Sequence, residues 1–166
     1  MAFSGTFFRC SELLAVTCMF YGETRVSIDD KGRLAIPTEH RAQVSALSAN
    51  ALVVCYNPFE ADCLWIFPRP EWLRIRDQVM GLSSAKAAHR EIQRRLVGAA
   101  AALDLDAQGR IVLPHAARGY ANLGKQGVLL GIGMKFELWS EAAHSARLAQ
   151  PIAEADISAA MLDLPL

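Results

Sequence analysis

SIDDKGRLAIPTEHR, residues Ser27–Arg41, returns later in the same chain as DLDAQGRIVLPHAAR, residues Asp104–Arg118. Without a gap, Asp29 falls on Asp106, Gly32 on Gly109, Arg33 on Arg110, Pro37 on Pro114 and Arg41 on Arg118, at a constant offset of 77 residues. Leu34, Ala35 and Ile36 meet Ile111, Val112 and Leu113, so apolar character persists where identity does not. Self-similarity at a fixed period marks a supersecondary unit that cannot bury its apolar face alone. The chain therefore reads as two copies of one unit.

Each copy is expected to be a hairpin followed by a short helix. Val26 and Ile28 alternate with Arg25 and Ser27, the pattern of a half-buried strand. Asp30-Lys31-Gly32 supplies turn chemistry, with Gly32 free to take a positive φ, and Leu34 and Ile36 resume the alternation. Pro37 and Pro114 cannot extend a central strand but suit a first helical turn, which predicts a helix over 38–47. A second strand pair follows in each copy: ALVVCY (51–56) with CLWIF (63–67), then GVLLGI (127–132) with KFELW (135–139). The first copy's loop is longer by about four residues, which sets Trp72 opposite His144 and makes His144 a packing position rather than a ligand.

Between the copies lies a helical connector. Pro70 marks a helix start and Gly81 a stop, with Trp72, Ile75, Val79 and Leu82 on one stripe. A second helix is expected from Ser84, capped by Ser83 or Ser84, to about Ala102, burying Ile92, Leu96 and Ala99 or Ala100. The division is then 1–18 extension or misplaced start, 23–70 first repeat, 71–99 connector, 100–143 second repeat, and 144–166 a C-terminal tail that after Gln150 is acidic and reads as a frayed helix or disorder.

The 17 basic and 17 acidic residues balance, and 52% of the chain is hydrophobic, which excludes wholesale disorder. The distribution is uneven: seven basic against three acidic residues over 69–95, one against five over 137–166. Only the local field steers an anion, so a neutral total does not exclude a nucleic-acid partner. Cys10, Cys18, Cys55 and Cys63 form no C-x-x-C and no zinc spacing, and read as reduced thiols. The apolar run Leu13–Tyr21 is too short to span a bilayer.

Taken together, MFYGE (19–23), IDDKGRLAIP (28–37), EW (71–72), LSS (82–84), REIQRRLVGAA (90–100), LDAQGRIVLP (105–114) and KFELW (135–139) resemble, in order, the MraZ family of bacterial transcriptional regulators. The resemblance runs from Met19 to about Leu148. It implies an α+β, mainly β fold of two SpoVT-AbrB-type repeats, interlocked within one chain as a pseudo-dimeric swapped-hairpin barrel. It implies Met19 as the initiator, a cytoplasmic, nucleoid-associated protein, and further assembly into rings. It implies binding to direct repeats in double-stranded DNA upstream of the division and cell-wall operon that contains its own gene. No cofactor, metal, membrane or small-molecule substrate is expected.

The family's D-x-x-x-R arginine carries over to Arg33 and Arg110. An arginine can fork onto phosphate or onto the O6/N7 edge of guanine. Lys31 would be a point charge on phosphate, and Gly32 and Gly109 permit close backbone approach. Gln108 stands where Lys31 stands, so the second loop either grips phosphate less or uses its amide on a base edge. Arg41 and Arg118 either reach the DNA backbone or pair locally. Asp29 and Asp106 are expected to orient the arginines or cap the turns.

Other readings remain beside this one. An AbrB-type antitoxin shares the barrel, but usually has one half-barrel per chain and a disordered tail. A hydrolase would need more than adjacent Asp29 and Asp30 and the scattered His40, His89, His115 and His144; no P-loop, nucleophile elbow or H-E-x-x-H accompanies them. A purely structural oligomer leaves the duplicated basic turn unexplained.

Overall fold

The computed structural model describes residues 19–165; the expectations for residues 1–18, with Cys10 and Cys18, lie outside them. In chain order the first half holds β1 (Phe20–Ser27), β2 (Arg33–Ala35), α1 (Thr38–Ser48), β3 (Ala51–Tyr56) and β4 (Cys63–Pro68). The connector is α2 (Arg69–Met80), α3 (Ala87–Gln93) and a π-helical turn (Arg94–Gly98). The second half repeats the order: β5 (Ala101–Asp104), β6 (Arg110–Val112), α4 (His115–Tyr120), β7 (Gln126–Gly133), β8 (Lys135–Ser140) and α5 (Glu141–Leu148). A 3-10 turn (Glu154–Asp156) and α6 (Ala159–Leu162) follow in an exposed tail.

The halves exchange strands. The main sheet is antiparallel with order β1-β7-β8-β4-β3-β5, and β2 and β6 pair separately as a two-stranded ribbon. β1 of the first half finds its ladder partner in β7 of the second, and β5 of the second finds its partner in β3 of the first. The expected intramolecular pseudo-dimer is present. The ladder does not run unbroken around a barrel: the ribbon meets the sheet through one isolated bridge, Ile28 to Leu34.

The pairing registers define a pseudo-two-fold axis. In the ribbon, Arg33–Val112 and Ala35–Arg110 are images of one another, and Leu34–Ile111 lies on the axis. Ile36 N donates to Gly109 O at 2.9 Å, and its image, Leu113 N to Gly32 O, is also 2.9 Å. In the sheet the axis passes through Trp65–Glu137, with Leu64–Leu138 and Ile66–Phe136 as images. The repeat offset has therefore fallen from 77 residues at Leu34/Ile111 to 72 at Trp65/Glu137. Residues are lost both between helix and third strand and in the following turn.

The core lies between sheet and ribbon. Leu34, Ile36, Ile111 and Leu113 point inward from the ribbon onto Leu52, Val54, Leu64, Ile66, Leu129 and Leu138, all essentially inaccessible. Period-two alternation puts the other side chains of β3 and β4 on the far face. There Cys55 and Phe67 pack under the connector against Val79 and Leu96, with Trp72, Ile75 and Ile92 at the margin. Burial pushes the thiols of both Cys55 and Cys63 up to about 12, the state of inert, structural thiols.

The second connector helix is shorter than expected. It ends in the π-turn at Gly98, and Ala101 and Ala102, expected at its end, instead open the strand Ala101–Asp104. Alanine's helical preference is a weak prior. It yields here to the ladder on β3 and the burial of Leu103 opposite Leu52. The helix is also preceded by Lys86 in extended conformation, not capped by Ser83 or Ser84.

Two predictions follow from this packing. His40 is buried on α1, its ring 5.7 Å from that of Phe20 and 5.2 Å from that of Phe136. Desolvation lowers its pKa below the ordinary 6.5. The unfolded chain therefore binds the proton more readily, and stability falls as pH drops below 6.5 towards the lower folded value. His40→Phe should flatten the dependence of melting temperature on pH across that window; an unchanged slope would assign the acid sensitivity elsewhere. On the axis, Glu137 accepts from Trp65 Nε1 at 3.0 Å, Trp139 Nε1 at 3.2 Å and Lys135 Nζ at 2.7 Å. Glu137→Leu leaves these half-buried donors without their acceptor and should cost about 1–3 kcal/mol in urea denaturation.

Candidate nucleic-acid interface

Each hairpin turn is built around one aspartate. Asp29 Oδ1 accepts from Lys31 N at 3.0 Å and Arg33 N at 2.9 Å, while Gly32 N donates to Asp29 O at 2.9 Å. Asp29 Oδ2 then takes Arg33 Nε at 2.6 Å. The second turn repeats the set: Asp106 Oδ1 accepts from Gln108 N at 3.0 Å and Arg110 N at 2.8 Å, and Oδ2 takes Arg110 Nε at 2.9 Å. The Arg33 backbone N–H, then its guanidinium, hold the Asp29 carboxyl below its usual range. The Arg110 guanidinium leads the same effect on Asp106. Each carboxylate thus contacts both the backbone of its own turn and the guanidinium of its own arginine.

The two arginines are held differently. Among the described residues, the Arg33 Nη groups have no hydrogen-bond partner, so its fork is free to turn outward. Arg110 is further tied: Nη2 lies 2.8 Å from Asp106 Oδ2 and donates to Gln108 Oε1 at 3.2 Å. Gln108 therefore spends its carbonyl on its own loop. Lys31 is exposed. Asp30 is highly exposed, with Lys125 Nζ at 3.7 Å, and shares no site with Asp29.

The turns face outward on the ribbon. Leu34 and Ile111 point into the core, so Arg33, Ala35, Arg110 and Val112 share the opposite face. Arg33 lies directly opposite Val112, and Ala35 opposite Arg110. A two-stranded antiparallel ribbon fits the major groove of B-DNA.

Gly32 and Gly109 serve the fold. Both are buried at positive φ, +78° and +75°. A Cβ on Gly32 would sit 2.9 Å from Leu113 O and 3.0 Å from Arg118 Nε; one on Gly109 would fall on the guanidinium of Arg41. The close approach is therefore between repeats. Arg41 and Arg118 each lie over the glycine turn of the other repeat, and Arg41 Nε donates to Ile36 O at 2.7 Å. Sequence reasoning missed this exchange, because nothing local says that residue 41 meets residue 109.

The remaining candidates do not converge on a reaction centre. His144 is buried, 3.6 Å from Glu23; His89 sits by Ser83 O; His115 opens α4. No group of three potential metal ligands occurs among the described residues. Arg90 donates to Ser84 O and Ala85 O, and Arg95 bridges Glu91 and Pro58 O, so much of the connector's charge is engaged within the chain.

The comparisons with known proteins agree with the internal duplication. The family model described as "MraZ protein, putative antitoxin-like" matches twice, over residues 19–95 and 96–164. The chain belongs to the MraZ family. The protein named transcriptional regulator MraZ of Stenotrophomonas maltophilia is 49% identical over 148 residues, 89% of this chain and all of that protein. Those of Xanthomonas oryzae pv. oryzae and Marinobacter nauticus are 48% and 40% identical, the latter over 88% of this chain and 93% of its own length. These MraZ relatives carry the name of a regulator and not of an enzyme, in keeping with the reading that this chain is no enzyme. No helix among the described residues is long and apolar enough to cross a membrane.

The interlock makes a testable claim about the MraZ turns. Gly32→Ala and Gly109→Ala should each lose on the order of 1–3 kcal/mol of stability, from forced positive φ and from crowding. Adding Arg41→Ala should recover part of the Gly109→Ala loss and none of the Gly32→Ala loss, measured by urea denaturation of the single and double variants. Strict additivity at Gly109 would show that the guanidinium contact is immaterial.

Proposed function

We propose that this protein is a DNA-binding transcriptional regulator that reads duplex DNA with the outward face of the β2–β6 ribbon. The observation that carries the reading is the duplicated aspartate-held arginine. The turn fixes Arg33 at its backbone N–H and Nε and leaves both Nη groups for a base edge. Arg33 and Arg110 take guanine O6/N7, and Lys31 takes phosphate. Asp29, Asp106, Gly32 and Gly109 position them; Arg41 and Arg118 contribute by locking the turns, with phosphate contact secondary. Pro37 and Pro114 end the ribbon strands and open the helices behind it.

The two turns carry as many acids (Asp29, Asp30, Asp106) as bases (Lys31, Arg33, Arg110), so the local field is weak and one protomer makes few phosphate contacts. Useful affinity then needs several protomers on adjacent DNA elements, where effective concentration multiplies weak contacts. This supports a ring-forming homo-oligomer on direct repeats upstream of its own division and cell-wall operon, acting in the cytoplasm at the nucleoid. The antitoxin reading has the wording of the family description behind it. A toxin gene beside this one, with its product binding this chain, would favour it.

The test is fluorescence anisotropy of the whole protein with a duplex from upstream of its own gene, over a salt series. Arg33→Ala should weaken binding roughly 5- to 150-fold, the range of one lost bidentate contact. Arg110→Ala should cost less, and Lys31→Ala should reduce the salt slope by about 1. Unchanged binding in Arg33→Ala, or no binding by folded protein at low salt, would overturn the reading.

A further inference from the structure

The outward face of the ribbon is a two-by-two array, and its pseudo-symmetry is broken. Arg33 and Arg110 occupy one diagonal and are images of each other. Ala35 and Val112 occupy the other and are also images, but differ in size. Val112 is 56% exposed and presents a branched apolar side chain on the outward face. Its inward neighbours Ile111 and Leu113 already fill the core at 0% and 1% exposure, so Val112 adds nothing there. A further asymmetry lies beside it: the turn leading into Arg33 carries a free Lys31, whereas the turn leading into Arg110 carries a Gln108 hydrogen-bonded to its own arginine.

Resting on the DNA-reading proposal above, we propose that Val112 is a specificity-determining residue that packs on the C5-methyl of a thymine next to the guanine taken by Arg33. Direct cross-strand neighbours stand close together on a ribbon face. A side chain opposite Arg33 is therefore carried to the base pair beside the one Arg33 reads. In the major groove the thymine methyl is the one apolar feature of a base edge, and apolar side chains recognise it. At the image position Ala35 is too short to make an equal contact. The ribbon consequently distinguishes the two ends of its DNA element. A symmetric ribbon would read inverted half-elements equally; this one sets a direction, so successive elements on a promoter are read in one orientation.

The test uses the whole protein and duplexes selected by the wild type from a randomised library, with each thymine replaced in turn by uracil. Removing the methyl facing Val112 should weaken wild-type binding about fourfold, the ~0.8 kcal/mol of one buried methyl group. Val112→Ala should bind the thymine duplex about as weakly as wild type binds the uracil one and should no longer distinguish them. The exchange Ala35→Val with Val112→Ala should move the methyl preference to the other end of the selected element. Circular dichroism confirms that these surface variants fold. If Arg33→Ala abolishes binding while Val112→Ala keeps the wild-type response to uracil at every position, this inference fails and the DNA-reading proposal stands. If wild type selects no duplex, or Arg33→Ala binds normally, the DNA-reading proposal itself fails.

Discussion

Strand exchange between the repeats is the constraint on which the rest depends. β1 has no ladder partner in its own half; it lies on β7, as β5 lies on β3. A single repeat would leave an edge strand unpaired and Leu34 and Ile36 facing water. Unpaired backbone groups and exposed apolar side chains are both costly. Pairing the copies gives β1 and β5 their ladder partners and brings β2 against β6, so the ribbon exists only because the repeats interlock. The candidate recognition surface is thus a product of the interlock, since neither repeat owns it.

The same exchange accounts for the turns. Asp29 collects two backbone N–H groups and the Nε of Arg33, so one short side chain caps the turn and aims the cation. An exposed ion pair of this kind is worth little as stability. On the DNA-reading proposal its value lies in orientation, by removing much of the freedom that a long side chain would otherwise lose on binding. Behind each turn, the arginine of the opposite repeat closes over the glycine. A change in one repeat's helix therefore reaches the other repeat's loop across the axis rather than along the chain.

Much of this was legible in the residues. The duplicated D-x-x-G-R turn, the alternation around it, the second strand pairs and the Trp72 stripe rest on local periodicity and turn chemistry, and local signals survive in a single sequence. What was not legible depended on distance. Ala101 and Ala102 look helical by composition and become part of a strand because β3 needs a ladder partner. Arg41 and Arg118 looked like candidate phosphate contacts, and the residues they cover lie in the other repeat. The axis itself was not legible: allowing for the longer first loop set Trp72 opposite His144, the same 72-residue offset that matches Trp65 with Glu137, but no local signal says that those two matched positions face each other. Only the pairing registers show it.

Fusion of the copies does more than supply a partner. Residues on the axis of a symmetric dimer must face their own kind. At the centre of this sheet that rule would set tryptophan against tryptophan or glutamate against glutamate, the latter a half-buried repulsion. In the fused chain the two positions differ, and Glu137 instead gathers both indole N–H groups and Lys135, whose ammonium also lies 4.6 Å from the Trp65 ring. The same freedom sets His40 between Phe20 and Phe136 at one corner and Ala117 at its image. At the ribbon it sets Lys31 against Gln108 and Ala35 against Val112. Once the axis no longer enforces identity, each half can specialise while the interlock that both halves need is kept. On the DNA-reading proposal, a ribbon symmetric in backbone and asymmetric in side chains presents a different face to each end of its DNA element, which two identical chains about an exact two-fold axis would not.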